Sequence, residues 1–406
     1  MSLTETPRSN RLHIGLFGKR NSGKSSLINA ITNQEIALVS DVPGTTTDPV
    51  YKSMEIQGIG PCLFIDTAGF GELGQMRVEK TKKVIEKTDI ALVLFNADYI
   101  NGNNDNVSYN IEDEARWIDL IIQSKTPVIA VVNKADITNN ADIDAVCSMI
   151  KGKTGIPPII VSAKEKTGIE KIREEIIRSL PEDFEMESIT GNLVNESDLV
   201  LLVMPQDIQA PKGRLILPQV QTTRDLLDKK CVVLCVTTDK LEQALKYLSE
   251  PPKLIITDSQ VFRAVYDKKP KESKLTSFSV LFANYKGDLK YFVESAYIIE
   301  KLTEDSRVLI AEACTHAPLE EDIGRVKIPQ MLRKRISEKL NIDMVSGTDF
   351  PDDLSPYDLI IHCGGCMFNR KYVLSRVKKA RSQGIPMTNY GVTLAYLSNI
   401  LDKIDL

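Results

Sequence analysis

The sequence predicts an α/β protein of three parallel-sheet domains, and three observations carry that expectation. Short apolar runs alternate with amphipathic stretches of helical period along the chain, the pattern of strands feeding crossover helices. A glycine-rich loop stands directly between the first apolar run and the first helical stretch. At 406 residues the chain has material for roughly two to four cores, with no short repeat and no low-complexity segment.

Taken in order, the first unit opens with a strand over residues 12–17 and closes with a helix around 170–180. The proline-led acidic stretch PEDFEMES, residues 181–188, then marks a linker. A second unit holds a strand over 199–204, an irregular PQDIQAPKGR, a helix through 219–229, and the strands CVVLCVT and KLIITD. The charged, turn-forming KKPKES, residues 268–273, marks the next boundary. Beyond it FSVLFAN, RVLIAEA, YDLIIHC and IPMTNYG are expected as four strands with helices between them. The expected domains are therefore 1–181, 188–270 and 271–406.

Composition narrows the function classes. The net charge of −4 disfavours a broad basic face for nucleic acid. No run approaches the ~18–20 apolar residues of a membrane span, and the polar MSLTETPRSN lacks a signal-peptide core, so a cytoplasmic protein is expected. Seven cysteines without an export signal make a poor disulfide framework.

After the first strand comes Gly18-Lys19-Arg20-Asn21-Ser22-Gly23-Lys24-Ser25, a G-x-x-x-x-G-K-[ST] loop leading into SLINAI. Glycine lets backbone N–H groups curl round phosphate oxygens, and the helix N-terminus adds a favourable dipole. Lys24 is expected on the β- and γ-phosphates and Ser25 on Mg²⁺, with Gly18, Ser22, Gly23 and Ser26 completing the cradle. Asp66 of DTAG follows the strand CLFID, where a carboxylate belongs near Mg²⁺, with Gly69 beside the γ-phosphate. Asn133-Lys134-Ala135-Asp136 follows VIAVV, and Ser162-Ala163-Lys164 follows PIIV. These two resemble the guanine-reading elements of translation-factor-like GTPases, in which the aspartate accepts both N–H groups of the guanine edge. Four motifs in this order make the N-terminal domain a P-loop GTPase fold, with GTP and Mg²⁺ as ligands.

The segment Asp41-Val42-Pro43-Gly44-Thr45-Thr46-Thr47-Asp48 resembles switch I of the Era/TrmE branch, which nominates Thr46 for Mg²⁺ and the γ-phosphate, with Thr45 as the alternative. Phe70 stands where a Ras-like enzyme has its water-positioning glutamine. Relatives in this branch use K⁺ held by a P-loop asparagine, and Asn21 occupies that position, so slow, K⁺-stimulated hydrolysis is expected.

Near the C-terminus, Cys314-Thr315-His316 follows RVLIAEA, and His362-Cys363-Gly364-Gly365-Cys366 follows DLII. Both groups fall at carboxyl ends of expected parallel strands, where open α/β sheets place their crevices. The spacing leaves a zinc site, an iron–sulfur cluster and a set of core-packing residues as readings, with zinc and iron–sulfur evenly matched. Cys231 and Cys235 fall in an apolar strand and are expected to be core residues, and His13 a structural histidine.

The whole chain resembles the HydF family, the GTPase maturation scaffolds of FeFe-hydrogenases, through GKRNSGKSSL, PGTTTDPV, APKGRLILPQVQTTRD, ANYKGD, EACTHAP and HCGGC. The resemblance implies a homodimer formed by the middle domain, and a 4Fe–4S cluster on Cys314, Cys363 and Cys366. It makes His316 and His362 further candidate ligands. It also implies a transient diiron precursor as cargo, and radical-SAM hydrogenase maturases and the apo-FeFe-hydrogenase as partners, with no nucleic acid and no membrane. The competing expectation is an Era/TrmE-type GTPase in RNA modification or ribosome assembly, with a zinc-binding C-terminal domain.

Overall fold

The computed structural model describes residues 6–32, 50–56, 58–67, 81–97, 111–181, 188–205, 215–312, 323–365 and 367–405. It divides into two compact units, Met1–Glu185 and Met186–Leu406.

The first unit is built on a six-stranded sheet: β1 (Leu12–Gly18), β2 (Val50–Ile56), β3 (Gly60–Asp66), β4 (Ile90–Asn96), β5 (Val128–Asn133) and β6 (Ile159–Ile160), in the order β2-β3-β1-β4-β5-β6. Only β2 runs antiparallel, paired with β3. Strands β1 and β4 are buried along their whole length, as central strands covered on both faces must be, which is why they read as continuous apolar runs. One face packs Leu12, Ile14 and Leu16 against Leu27, Ile28 and Ile31 of the first helix. The other packs Phe17, Val93 and Phe95 against Trp117 and Ile121 of helix Glu112–Gln123. His13 sits between backbone carbonyls, Nδ1 3.0 Å from Lys87 O and Nε2 2.9 Å from Arg8 O, the expected structural role.

The second unit carries two parallel four-stranded sheets. The first contains β7 (Leu199–Val203), β8 (Val232–Val236), β9 (Leu254–Thr257) and β10 (Lys274–Ser277), ordered β10-β9-β7-β8. The next contains β11 (Arg307–Glu312), β12 (Asn341–Ser346), β13 (Leu359–His362) and β14 (Met387–Asn389), ordered β12-β11-β13-β14. A continuous apolar core joins them, running from Leu201 and Ile255 to Ile310, Ile360 and Leu397. Helix Tyr390–Leu397 is buried nearly all round, as a helix between layers must be.

Three expectations change here. FSVLFAN is not a strand but helix Phe278–Lys286, capped by the Ser277 side chain accepting from Val280 N. A five-residue apolar run fits either period, and the N-cap decides. The fourth strand of the last sheet is instead β12, an edge strand with only partial burial. The expected boundary at 270/271 precedes β10, which pairs in parallel with β9. KKPKES therefore lies within the second sheet's connections, its charge and proline reflecting a solvent turn rather than a linker. Cys235 is exposed on β8 rather than in the core. Among the described residues no helix is long and apolar enough to cross a membrane.

Candidate functional site

The nucleotide site forms where β1, β3 and β5 end at the same edge of the first sheet. β1 runs into the glycine loop, and helix Lys24–Thr32 leaves it. Register pairing sets Leu16 opposite Asp66, so the aspartate arrives beside the loop. Ser25 Oγ donates to Asp66 Oδ2 at 2.7 Å, which puts both expected Mg²⁺ oxygens together. Lys24 is buried, and its Nζ donates to Gly18 O and Lys19 O, each at 3.0 Å. Burial lowers the pKa of this ammonium while Asp66 pulls it back up. An anionic phosphate in the loop would repay that desolvation. Ser22 Oγ is buried with no hydrogen-bond partner, an orphan polar atom of the kind a phosphate oxygen satisfies. Asn21 is exposed at the loop's crest with φ 64°, and Ser26 is exposed on the helix's first turn.

Asn133 ties three motifs into one body. Its Nδ2 donates to Ser22 O and its Oδ1 accepts from Ala163 N, each at 3.0 Å, and the residue is 2% exposed. The chain turns at Lys134 with φ 67°, bringing Asp136 toward Ser162, whose Oγ donates to Asp136 Oδ1 at 2.6 Å. That hydrogen bond holds the Asp136 carboxyl below the usual carboxylate range. Asp136 itself is exposed, an acceptor pair open to a base edge, with Lys164 exposed beyond it. Thr45, Thr46 and Gly69 lie outside the described residues. Sequence reasoning missed the ion pair of Lys19 with the buried Glu114, 3.1 Å, which links the loop to helix Glu112–Gln123. Burial pushes the Glu114 carboxyl up, and Lys19 works against that.

In the second unit β11 and β13 are adjacent and parallel, with Ala311 opposite His362. Cys363 follows β13 directly, and its N–H donates to Ala311 O at 2.9 Å. The two C-terminal motifs therefore begin from neighbouring strand ends, as the sequence implies. Cys314, His316 and Cys366 lie outside the described residues. Among the described residues no group of three His, Cys, Asp or Glu side chains could hold a metal. His362 is fully buried, with Nδ1 2.6 Å from Cys363 O and Nε2 2.8 Å from Arg376 Nη1. Guanidinium only donates, so Nε2 accepts and Nδ1 carries the proton. Burial, then the Arg376 charge, depress its pKa to about 3, so the ring is neutral. Both ring nitrogens of His362 are engaged within the protein, and the ring braces the loop.

Two buried cations on flanking helices contact this loop, and no motif marked them as buried. Lys286, in ANYKGD, donates to Phe368 O at 2.8 Å and Gly365 O at 3.3 Å. Arg376 shares the buried face of helix Arg370–Ser382 with Tyr372, Val373, Val377 and Ala380, and that i, i+4 spacing on an apolar stripe was its one available signal.

Comparison with known proteins follows the same division. Residues 13–134 match the family model of the 50S ribosome-binding GTPase. Residues 189–287 match the hydrogen maturase F dimerization domain, and residues 290–404 its tetramerization domain. Among curated proteins, tRNA modification GTPase MnmE of Prochlorococcus marinus is 30% identical over 252 residues, 61% of this chain and 48% of that protein. GTPase Der of Wolinella succinogenes is 35% identical over 176 residues, 41% of this chain and 35% of that protein. The chain thus spans less than half the length of these relatives. The solved structure of Aquifex aeolicus Era bound to GDP and AlF₄⁻ is similar with TM-score 0.35 and 17% identity, over 58% of this chain and 98% of that one. Two domain models particular to hydrogen maturase F cover more than half of the sequence behind a P-loop GTPase domain, and the chain belongs to the HydF family.

Proposed function

We propose that this chain is a Mg²⁺-dependent, K⁺-stimulated GTP hydrolase and a maturation scaffold for FeFe-hydrogenase. In this reading Cys314, Cys363 and Cys366 hold a 4Fe–4S cluster with an exchangeable fourth position. The scaffold receives a diiron precursor from radical-SAM maturases and delivers it to the apo-hydrogenase. The observation that carries the reading is the pairing of β11 and β13, which starts EACTHAP and HCGGC from neighbouring strand ends. Cys363 departs on a glycine turn, Gly365 at φ 62°, the geometry a C-x-x-C pair needs to turn toward one centre. Membership of the HydF family, carried by the two maturase F domain models, is what favours iron–sulfur over a cysteine–histidine zinc site.

In the GTPase unit, Lys24 holds the β/γ-phosphate charge, Asp66 and Ser25 hold Mg²⁺, and Asp136 reads guanine. Mg²⁺ supplies charge neutralisation on the phosphate oxygens. Thr46 and Gly69 complete the γ-phosphate side. Hydrolysis acts as a switch: loops ordered by the γ-phosphate relax when it leaves, altering partner docking. Asn21, exposed at the loop crest, is the proposed K⁺ ligand, so replacing K⁺ by Na⁺ is expected to slow hydrolysis severalfold. An equal rate in both salts would remove Asn21 from that role.

Self-association is supported by the dimerization and tetramerization domains of the family. Strand β8 is a sheet edge with Val232 58% exposed, and an exposed apolar edge is a pairing surface.

The decisive experiment is anaerobic iron–sulfur reconstitution of wild type and Cys363→Ser. Wild type is expected to hold about four irons per chain and to give a cluster EPR signal after dithionite, both lost in the variant. Tightly bound zinc with no cluster would return the C-terminal region to the RNA-linked alternative suggested by the MnmE and Der relatives.

A further inference from the structure

The phosphate loop is fastened at a residue that its motif leaves open. Lys19 Nζ lies 3.1 Å from Glu114 Oε2, and the Glu114 side chain is 1% exposed against 22% for Lys19. Glu114 stands in the first turn of helix Glu112–Gln123, where the helix dipole favours an acid. A carboxylate buried this deeply needs a compensating cation, and the loop supplies one. The backbone of Lys19 is engaged as well: its carbonyl accepts from Lys24 Nζ at 3.0 Å and from Ser22 N at 3.3 Å. Gly18 O takes the other bond from Lys24 Nζ. The carbonyls that hold the phosphate-binding lysine therefore belong to Lys19 and the residue before it. The side chain of Lys19 is anchored to a helix whose Trp117, Ile118 and Ile121 are built into the core. Such an anchor fixes where the loop begins its turn.

We propose that Glu114 is a positioning residue for GTP binding, acting through Lys19 to hold the phosphate loop in the shape that receives the nucleotide's phosphates. The inference rests on the reading of this loop as the GTP site. Two consequences separate positioning from simple balance of charge. The pair is neutral as a unit, so removing both charges leaves the net charge beside the loop unchanged, and the affinity still missing is lost positioning. GTP and GDP share the phosphates nearest the loop, so the two weaken together. Turnover of bound GTP changes little, because the loss falls on ground state and transition state alike.

Three variants of the full chain test this: Lys19→Met, Lys19→Arg, and the double variant Lys19→Met with Glu114→Gln. The readouts are GTP and GDP titration, kcat at saturating GTP, and melting followed by the emission of Trp117, the chain's single tryptophan, buried on the same helix. Lys19→Met is expected to bind both nucleotides at least about tenfold more weakly, with kcat within about threefold of wild type. It should also melt several degrees lower, because it strands the buried carboxylate. Lys19→Arg keeps the cation and should bind nearly as wild type does. In the double variant no carboxylate is stranded, so the melting point should recover while the loss of affinity persists. A double variant that binds GTP like wild type overturns the inference, because balance of charge then explains the pair; so does Lys19→Met with wild-type affinity. Wild type that binds neither nucleotide overturns the GTP-site reading as well.

Discussion

Asp136→Asn is expected to weaken GTP binding by roughly a hundredfold to a thousandfold while raising affinity for XTP. Guanine presents two N–H donors on its pairing edge, and a carboxylate accepts both. The amide of asparagine accepts one and turns its own N–H toward the other, so a hydrogen bond is replaced by donor–donor repulsion. Xanthine carries an oxygen where guanine carries its amine, and that pattern suits an amide. The structure prepares Asp136 for the carboxylate role: Ser162 Oγ donates to one oxygen at 2.6 Å and holds the group ionised. Because the folded-state pKa is depressed, the acceptor pair persists as pH falls through the ordinary carboxylate range and is lost only below it. Titration with fluorescent GTP and XTP analogues checks the exchange of preference. Unchanged GTP affinity in the variant would mean that Asp136 does not read the base.

The nucleotide site was legible because its chemistry is local. Each motif needs particular residue types within a few positions of a strand end, so Lys24, Asp66, Asn133 and Asp136 announce themselves. What the motifs do not show is their mutual fastening, with Asn133 donating to Ser22 O and accepting from Ala163 N across long sequence separations. The C-terminal region was legible to the level of strand ends, since β11 and β13 are ordinary buried apolar runs. Helix Phe278–Lys286 was mistaken for a strand because FSVLF lacks a decisive period, although Ser277 before it and Gly287 after it are cap residues. Lys286 and Arg376 escaped notice for a different reason. A charged residue on an apolar stripe is explained only by the carbonyls and rings that fold around it, and these come from distant segments such as Gly347 and Phe350.

The largest structural effect is expected from Gly23→Ala. Gly23 has φ +90°, a conformation that costs a residue with a side chain about 1–3 kcal/mol. A Cβ there would lie 2.2 Å from Asn133 Nδ2. An amide at the end of a free side chain could swing away. Asn133 cannot do so cheaply, because it is buried and fastened at both ends, to Ser22 O and to Ala163 N. Moving it sacrifices two buried hydrogen bonds worth about 1 kcal/mol each and frees the Ser162–Ala163 element from the phosphate loop. One methyl group therefore acts on both the phosphate cradle and the base-reading surface. GTP affinity should fall by at least about a hundredfold, and a total of about 3–5 kcal/mol should lower the melting point of the N-terminal unit by about 6–20 °C. Gly152→Ala makes the matched control: it lies within helix Asn140–Thr154, where a Cβ meets nothing within 4 Å, so it should stabilise by about 0.4–1 kcal/mol. Calorimetry and nucleotide titration on the pair separate the two effects. If Gly23→Ala bound GTP and melted like Gly152→Ala, the coupling of the loop to Asn133 would not hold the site together.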